Sequence, residues 1–184
     1  MKITLLISSV REGRLAQSVL ERTIKLIGDK FEVSIIDPRE YDLPLLNLRY
    51  HEMKNPEEKF SRLHTIFTET DGFIIVTAEY NHSIPPALKN LLDHFGKEFK
   101  KKSCGIVSYS NGAVGGARAT EQLRLVCSVL GMPPIPISPA WGLADKMGTP
   151  EGKAFETNFE RAFGLFLSEF LWYTEALMKQ RILN

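Results

Sequence analysis

Short runs of β-branched and other apolar residues alternate along this chain with segments in which apolar residues recur at helical spacing. The apolar runs predict five strands, at residues 3–7, 31–37, 72–77, 104–108 and 132–137. A helix is predicted after each strand, and this alternation is typical of a parallel sheet covered by helices. At 184 residues the chain is expected to form one domain spanning residues 1–184.

The strands differ in how apolar they are, and this difference predicts their order. Residues 3–7 and 73–76 are almost continuously apolar, as in strands covered on both faces, whereas apolar and polar residues alternate over 31–35. The second strand is therefore predicted at an edge. The three prolines within 133–136 cannot donate ladder hydrogen bonds, which places the fifth strand at the other edge. With right-handed crossovers, a flavodoxin-like three-layer sandwich of order 2-1-3-4-5 fits best.

In that order, the direction in which successive strands are added to the sheet reverses between the first and third strands. Ligands bind outside the carboxyl ends of the strands at such a switch point. Loops at residues 8–14, 78–83 and 110–116 should meet there. The first loop joins two hydroxyls and two arginines to the start of a helix. Free N–H groups and the positive helix end favour an anion by about 0.3–1 kcal/mol. The alternative for this loop is a capped helix with surface arginines.

The other two loops carry groups suited to a planar ligand. Tyr80 and Asn81 follow a buried strand and offer contact area and hydrogen bonds, although turn formation by Asn81 and helix capping by Ser83 explain them as well. The third loop has three glycines in five residues, so its backbone can approach a ligand closely. Arg118 either projects towards the site or pairs with an acid such as Glu121.

Composition and absent motifs argue against several function classes. The formal charge of +1 gives no global attraction to nucleic acid or anionic membranes, and the basic run at 97–102 is predicted to be a solvated surface. The chain has no Walker or Rossmann glycine motif, no nucleophile elbow, and no zinc-ligand spacing among its histidines. Cys104 and Cys127 lie in apolar segments and indicate a reducing cytoplasm. No apolar run is long enough to span a membrane.

Three segments together resemble the NADPH-dependent FMN reductase family, which includes chromate-, quinone- and azo-reducing flavoproteins. They are S-S-V-R-E-G-R at 8–14, E-Y-N-H-S-I-P at 79–85 with L-K-N at 88–90, and G-G-A-R-A at 115–119. The likeness spans roughly residues 1–140. Ser8 stands where the family commonly has glycine, and Ala78 where it often has proline. These departures raise the question of whether Ser8 adopts the turn without the conformational freedom of glycine.

The resemblance implies a flavodoxin-like fold, non-covalently bound FMN, and NADPH or NADH as co-substrate. Hydride would pass from NAD(P)H to flavin N5, and electrons would then pass to a quinone, azo, metal-oxyanion or flavin acceptor. No residue is assigned a catalytic role and no metal is expected. Carried over by motif, the cofactor-binding residues are Ser9, Arg11, Gln17 and Ser18 around the phosphate with Arg14 as an additional contact, Glu79, Tyr80 and Asn81 along the isoalloxazine, and Ser110, Gly112 and Gly115 at its other edge.

Two other functions remain open at this point. One is a flavodoxin-like FMN electron carrier without efficient NAD(P)H turnover, although such carriers resemble acidic proteins and this chain is nearly neutral. The other is a flavin-free interaction protein that kept the fold. The family likeness also implies a homodimer or homotetramer. The predicted last helix, residues 151–180, is apolar over a wide arc, which is explained by subunit packing or by burial within the monomer.

Overall fold

The computed structural model describes residues 1–29 and 31–183, and a five-stranded parallel sheet lies at its centre. Its strands are β1 (Lys2–Ile7), β2 (Glu32–Ile36), β3 (Gly72–Ala78), β4 (Ser103–Tyr109) and β5 (Ala140–Trp141). They lie in the order β2-β1-β3-β4-β5, and every neighbouring pair is parallel. The predicted fold class and strand order are confirmed.

Helices cover both faces of this sheet. They are α1 (Ala16–Ile27), α2 (Pro38–Tyr41), α3 (Glu58–Glu69), α4 (Pro86–Asp93), α5 (Ala117–Val129) and α6 (Lys153–Ile182). α1 and α6 pack against one face, and α3, α4 and α5 pack against the other. Every residue of β3 and β4 is buried, because these two strands lie inside the sheet and are covered on both sides.

The fifth strand lies later in the chain than the sequence predicts. Over residues 132–137 the structure has only an isolated bridge between Pro134 and Cys104. Prolines have no N–H to donate, so a regular ladder cannot run through this segment. β5 instead forms at Ala140–Trp141, beside the last two residues of β4. The predicted edge position is correct and the predicted boundaries are wrong.

The basic run at residues 97–102 is a solvated surface only in part, because Lys97, Lys100 and Lys101 are exposed as predicted and two other residues of the run are buried. Phe99 is fully buried, and Lys102 is only 7% exposed. The Lys102 ammonium donates to the carbonyl oxygens of Phe67 at 2.6 Å and Thr68 at 2.8 Å, near the end of α3. Burial lowers the pKa of Lys102 to about 8. This lysine therefore caps the carboxyl end of a helix.

The long α6 buries its phenylalanines within the monomer. Phe166 and Phe170 pack where Gly105 leaves room, since a Cβ on that glycine would lie 2.5 Å from the Phe166 ring. Leu165 and Trp172 of the same helix are exposed. Across residues 1–29 and 31–183, no helix combines the length and the hydropathy that a bilayer-crossing segment needs.

Candidate functional site

A cleft of about 560 Å³ opens at the carboxyl ends of β1, β3 and β4. The three loops that the sequence predicts to converge form its walls. Eight of the eleven predicted site residues line the cleft: Ser9, Arg11, Arg14, Glu79, Tyr80, Asn81, Ser110 and Gly112.

The first loop leaves a run of backbone donors free. The Ser8 N–H donates to the carbonyl of Val76, and the Val19 N–H donates to the carbonyl of Leu15. Between them, no backbone N–H of residues 9–18 donates to another atom of the described chain. α1 begins in this stretch without a side-chain cap. Free N–H groups at the positive end of a helix make a site for an anion.

Arg14 is committed to a neighbouring carboxylate. Its Nη1 donates to Asp37 Oδ1 at 2.8 Å and to the Ser9 carbonyl, and its Nη2 pairs with Asp37 Oδ2. Burial by itself raises the pKa of Asp37, but hydrogen bonds from Arg14 and from the Arg39 backbone N–H outweigh it and hold this pKa below its usual value. The hydrogen bond to Asp37 raises the pKa of Arg14. The pair is electrically neutral and ties the first loop to the end of β2.

Arg11 differs from Arg14 because its guanidinium has no acidic partner among the described residues. It is exposed on the cleft wall, and its Cζ lies 5.8 Å from the centroid of the Tyr80 ring. A guanidinium in this position can form charge-assisted hydrogen bonds to a phosphate.

The second loop is a tight two-residue turn. Tyr80 and Ser83 exchange both backbone hydrogen bonds at 2.9 Å, and Asn81 and His82 between them have φ angles of 49° and 65°. Positive φ at both central positions is typical of a type I′ turn, which asparagine tolerates well. Asn81 therefore forms the turn and also lines the cleft. The Tyr80 hydroxyl is hydrogen-bonded to Ser9 Oγ, which joins the second loop to the first.

Glu79 and Arg118 connect the second loop to α5. Glu79 Oε2 accepts hydrogen bonds from the backbone N–H groups of Arg118 at 3.1 Å and Ala119 at 3.2 Å. Arg118 lines the cleft and its Nη1 lies 3.6 Å from Glu79 Oε1. Glu121 instead pairs with Arg124 at 3.3 Å. Of the two alternatives for Arg118, the structure shows projection towards the cleft, with Glu79 rather than Glu121 as the acid.

The third loop is held in place by the segment that follows β5. The Ser110 N–H donates to the Trp141 carbonyl at 3.1 Å, and the Leu143 N–H donates to the Gly112 carbonyl at 3.2 Å. The Ser110 hydroxyl also donates to the Gly112 carbonyl, at 3.1 Å. Within the described chain the N–H groups of residues 111–114 have no acceptor, so they remain available to a ligand.

Three predicted site residues lie outside the cleft lining. Gln17 and Ser18 occupy the first turn of α1 with exposed side chains, and Gln17 Nε2 donates to Glu21 at 3.0 Å. Gly115 is buried, with a φ of 65°. A Cβ on it would lie 2.8 Å from the Gly142 nitrogen. Glycine is therefore needed at 115 for the third loop to pack against the end of β5.

The two departures from the family pattern are partners in one hydrogen bond. Ser8 Oγ accepts from the Ala78 N–H at 2.9 Å, and both residues are buried. A glycine at position 8 has no hydroxyl and a proline at 78 has no N–H, so the usual family residues cannot make this bond. Ser8 is not among the residues with positive φ, which shows that this turn does not require glycine.

Two residues of the site, Asp37 and Tyr109, are absent from the sequence-based prediction. Tyr109 ends β4 and lines the cleft while only 4% exposed, and its buried hydroxyl has no hydrogen-bond partner in the described chain. Burial raises the pKa of Tyr109 well above its usual value, so the hydroxyl stays protonated at neutral pH. Both residues lie where a strand ends at the ligand-binding edge of the sheet, and this position in the sequence could have identified them as site residues.

The chemistry of the cleft fits a planar cofactor that carries a phosphate. The free N–H groups of residues 9–18 and the unpaired Arg11 suit the phosphate, and the Tyr80 turn and the donors of 111–114 suit a ring with polar edges. Among the described residues, no cluster of histidine, cysteine, aspartate and glutamate could hold a metal ion.

Comparison with known proteins agrees with this chemistry. The chain is 31% identical over 147 residues to an NAD(P)H-dependent FMN reductase of Saccharomyces cerevisiae, covering 72% of this chain and 76% of the relative. It is 28% identical over 130 residues to a quinone reductase of Escherichia coli, covering 68% and 69%.

The fold also matches that of a solved protein. The flavoenzyme NAD(P)H:(acceptor) oxidoreductase FerB from Paracoccus denitrificans superposes with a TM-score of 0.78 at 20% identity, covering 94% of this chain and 98% of that one. The sequence model of the family described as NADPH-dependent FMN reductase matches residues 1–145. The chain therefore belongs to the NADPH-dependent FMN reductase family, whose members are oxidoreductases that use FMN with NAD(P)H as the electron donor.

Proposed function

We propose that this protein transfers hydride from NADPH or NADH to bound FMN and then passes electrons to a small-molecule acceptor at the same open cleft. The observation that carries the proposal is the meeting, in one cleft, of a free N–H cradle, an unpaired Arg11 and the Tyr80 turn. The flavin, when bound, supplies the hydride and electron chemistry. The residues of the chain bind it, orient it and set its electrostatic surroundings.

The first loop would bind the phosphate. Arg11 would contribute charge-assisted hydrogen bonds, and Gln17 and Ser18 would contribute the N–H groups of the first turn of α1 rather than their side chains. Arg14 would act differently from its sequence prediction. Because the Arg14 guanidinium already pairs with Asp37, it would hold the Ser9 carbonyl, and with it the first loop, in place instead of binding the phosphate directly.

The second and third loops would bind the ring system. Tyr80, fixed through its hydroxyl to Ser9, and the exposed Asn81 would present one surface. The free N–H groups near Ser110 and Gly112 would donate to a polar edge of the ring, where fixed dipoles favour the negative charge that reduction adds.

The acceptor class best supported is a quinone, since more of the relatives are quinone reductases than azoreductases. Azo compounds, metal oxyanions and free flavin are the other acceptors that an exposed flavin could reduce. A steady-state screen of NADPH and NADH against these four acceptors would rank them. Faster turnover of an azo dye or a metal oxyanion than of any quinone would overturn the quinone assignment.

We also propose that residues 1–184 form one domain, that the protein assembles as a homodimer or homotetramer, and that it is located in the cytoplasm. Two observations support this. Leu165 and Trp172 are exposed apolar residues two turns apart on one side of α6, which supports subunit packing. The buried Cys104 and Cys127 are both free thiols, which supports a reducing compartment. Light scattering should give at least twice the 20.8 kDa mass of the chain, and a monomeric mass would refute the oligomer.

Phosphate binding can be tested with an arginine pair. Arg11→Ala should weaken FMN binding about 10- to 100-fold, because a hydrogen bond to a charged group contributes about 1.5–3 kcal/mol. Arg161→Ala removes the same charge from an exposed position on α6, outside the cleft lining, and should leave the affinity unchanged. Titration of apoprotein with FMN, followed by flavin fluorescence, gives both constants. Equal affinities for the two variants would contradict the role of Arg11.

A further inference from the structure

The N-terminus of α5 has no side chain of its own to cap it. Its N-cap residue is Gly116, with a φ of 84°. A Cβ on Gly116 would lie 3.1 Å from Ser108 Cβ and from the Tyr109 carbonyl oxygen. Glycine at this position lets the helix start close to β4, but it leaves the first N–H groups of the helix without the acceptor that a serine or aspartate cap would give.

Glu79 supplies that acceptor from a different loop. Its Oε2 accepts from Arg118 and Ala119, the second and third residues of α5, which are the N–H groups that a cap residue normally satisfies. Its side chain is only 12% exposed. The hydrogen bonds join the loop after β3 to the helix after β4, so the carboxylate fixes the relative position of two of the three cleft walls.

The charge of Glu79 matters as much as its hydrogen bonds. An uncapped helix N-terminus acts like roughly half a positive charge, which would stabilise the negative charge that a flavin gains on reduction. The Glu79 carboxylate lies against that N-terminus and offsets it. Low exposure keeps this carboxylate poorly screened by water, whereas the Arg118 side chain is 53% exposed and better screened.

We propose that Glu79 is a positioning residue of the cofactor site, which fixes the spacing of the two loops and lowers the reduction potential of the bound flavin by cancelling the positive end of α5. The sequence-based role of Glu79, contact with the isoalloxazine, is thereby replaced by a role exerted through α5. This inference rests on the proposed function, because it needs FMN in the cleft.

Two substitutions separate the two parts of the proposal. Glu79→Gln keeps an oxygen acceptor for Arg118 and Ala119 and removes only the charge. It should lower the unfolding temperature of the apoprotein less than Glu79→Ala does, because the hydrogen bonds remain and only the interaction of the charge with the helix end is lost. It should keep the FMN affinity and shift the reduction potential of bound FMN to a more positive value. Glu79→Ala removes the cap as well. It should lower the unfolding temperature of the apoprotein and weaken FMN binding about tenfold.

A matched control is Glu121→Gln. Glu121 is on the same helix, its side chain is 74% exposed, and it does not line the cleft. This variant should match the wild type in unfolding temperature, FMN affinity and potential. An unchanged potential in Glu79→Gln would overturn the charge effect, and wild-type FMN affinity in Glu79→Ala would overturn the positioning role. Wild-type protein that bound no FMN would instead overturn the proposed function, whatever Glu79→Ala did to the unfolding temperature.

Discussion

Replacing Asp37 with asparagine tests whether a buried ion pair holds the first loop of the cleft. The side chains of Asp37 and Arg14 are 11% and 10% exposed, and both Nη atoms of the arginine bond to the carboxylate. Asp37→Asn keeps an oxygen that can accept from the Arg39 N–H, so the substitution preserves the cap of α2. It therefore removes the charge alone and leaves the guanidinium without a counterion.

The expected loss is large for a single substitution. Removing one partner of a buried ion pair costs about 3–5 kcal/mol, and because this pair borders an open cleft we expect about 3 kcal/mol. The folded state lowers the pKa of Asp37 below that of the unfolded chain, so the stabilisation is complete above about pH 4 and is lost as the pH falls through the lower, folded-state pKa. The difference between wild type and variant should therefore shrink below about pH 4.

Urea unfolding followed by circular dichroism gives both free energies of unfolding. The control is Glu151→Gln, which breaks an exposed pair whose Glu151 Oε2 lies 3.8 Å from Lys146 Nζ, and it should cost no more than about 0.5 kcal/mol. If Asp37→Asn costs no more than this control at neutral pH, or if its cost is the same at about pH 3 as at about pH 7, the reasoning about the buried pair is wrong.

Three further substitutions have expected outcomes. Ser8→Ala leaves the buried Ala78 N–H without an acceptor and should cost about 1–3 kcal/mol in urea unfolding, but much less in an Ala78→Pro background. Tyr109→Phe removes a buried hydroxyl without a partner and should raise the free energy of unfolding by up to about 1 kcal/mol. Lys102→Met removes the buried ammonium and its two hydrogen bonds to the end of α3. Because burial lowers the pKa of Lys102 to about 8, the unfolded chain binds more protons between about pH 8 and 10, so wild type should gain stability relative to Lys102→Met over that range.

Much of the fold could be predicted from sequence because burial controls residue pattern. β1 and β3 lie inside the sheet, and the nearly continuous apolar runs at 3–7 and 73–76 predict this position. The edge position of the fifth strand followed from prolines that lack an N–H. The exact residues of this strand could not be predicted, because only Ala140 and Trp141 pair with β4, and two residues are too few to leave a periodic pattern.

The site was predicted in outline and not in its pairings. The loop residues stood out because they follow buried strands directly and match a family pattern. The partners of Arg14 and Glu79 could not be predicted in this way. Asp37 lies 23 residues from Arg14, and the start of α5 lies 39 residues from Glu79, so each pair comes close only through the order of strands in the sheet. The burial of Lys102 within a basic run also left no signal in the sequence. Its acceptors are backbone carbonyls of α3, which any residue type provides.

The central claim, that this cleft holds FMN and reduces it with a nicotinamide, is tested most directly by anaerobic mixing. Purified protein reconstituted with FMN should show a bound-flavin absorbance spectrum, and stopped-flow addition of NADPH or NADH should bleach it rapidly. Bound flavin that neither nucleotide reduces at a useful rate would contradict the account and indicate an electron carrier. Failure to bind FMN at all would indicate an interaction protein with the same fold.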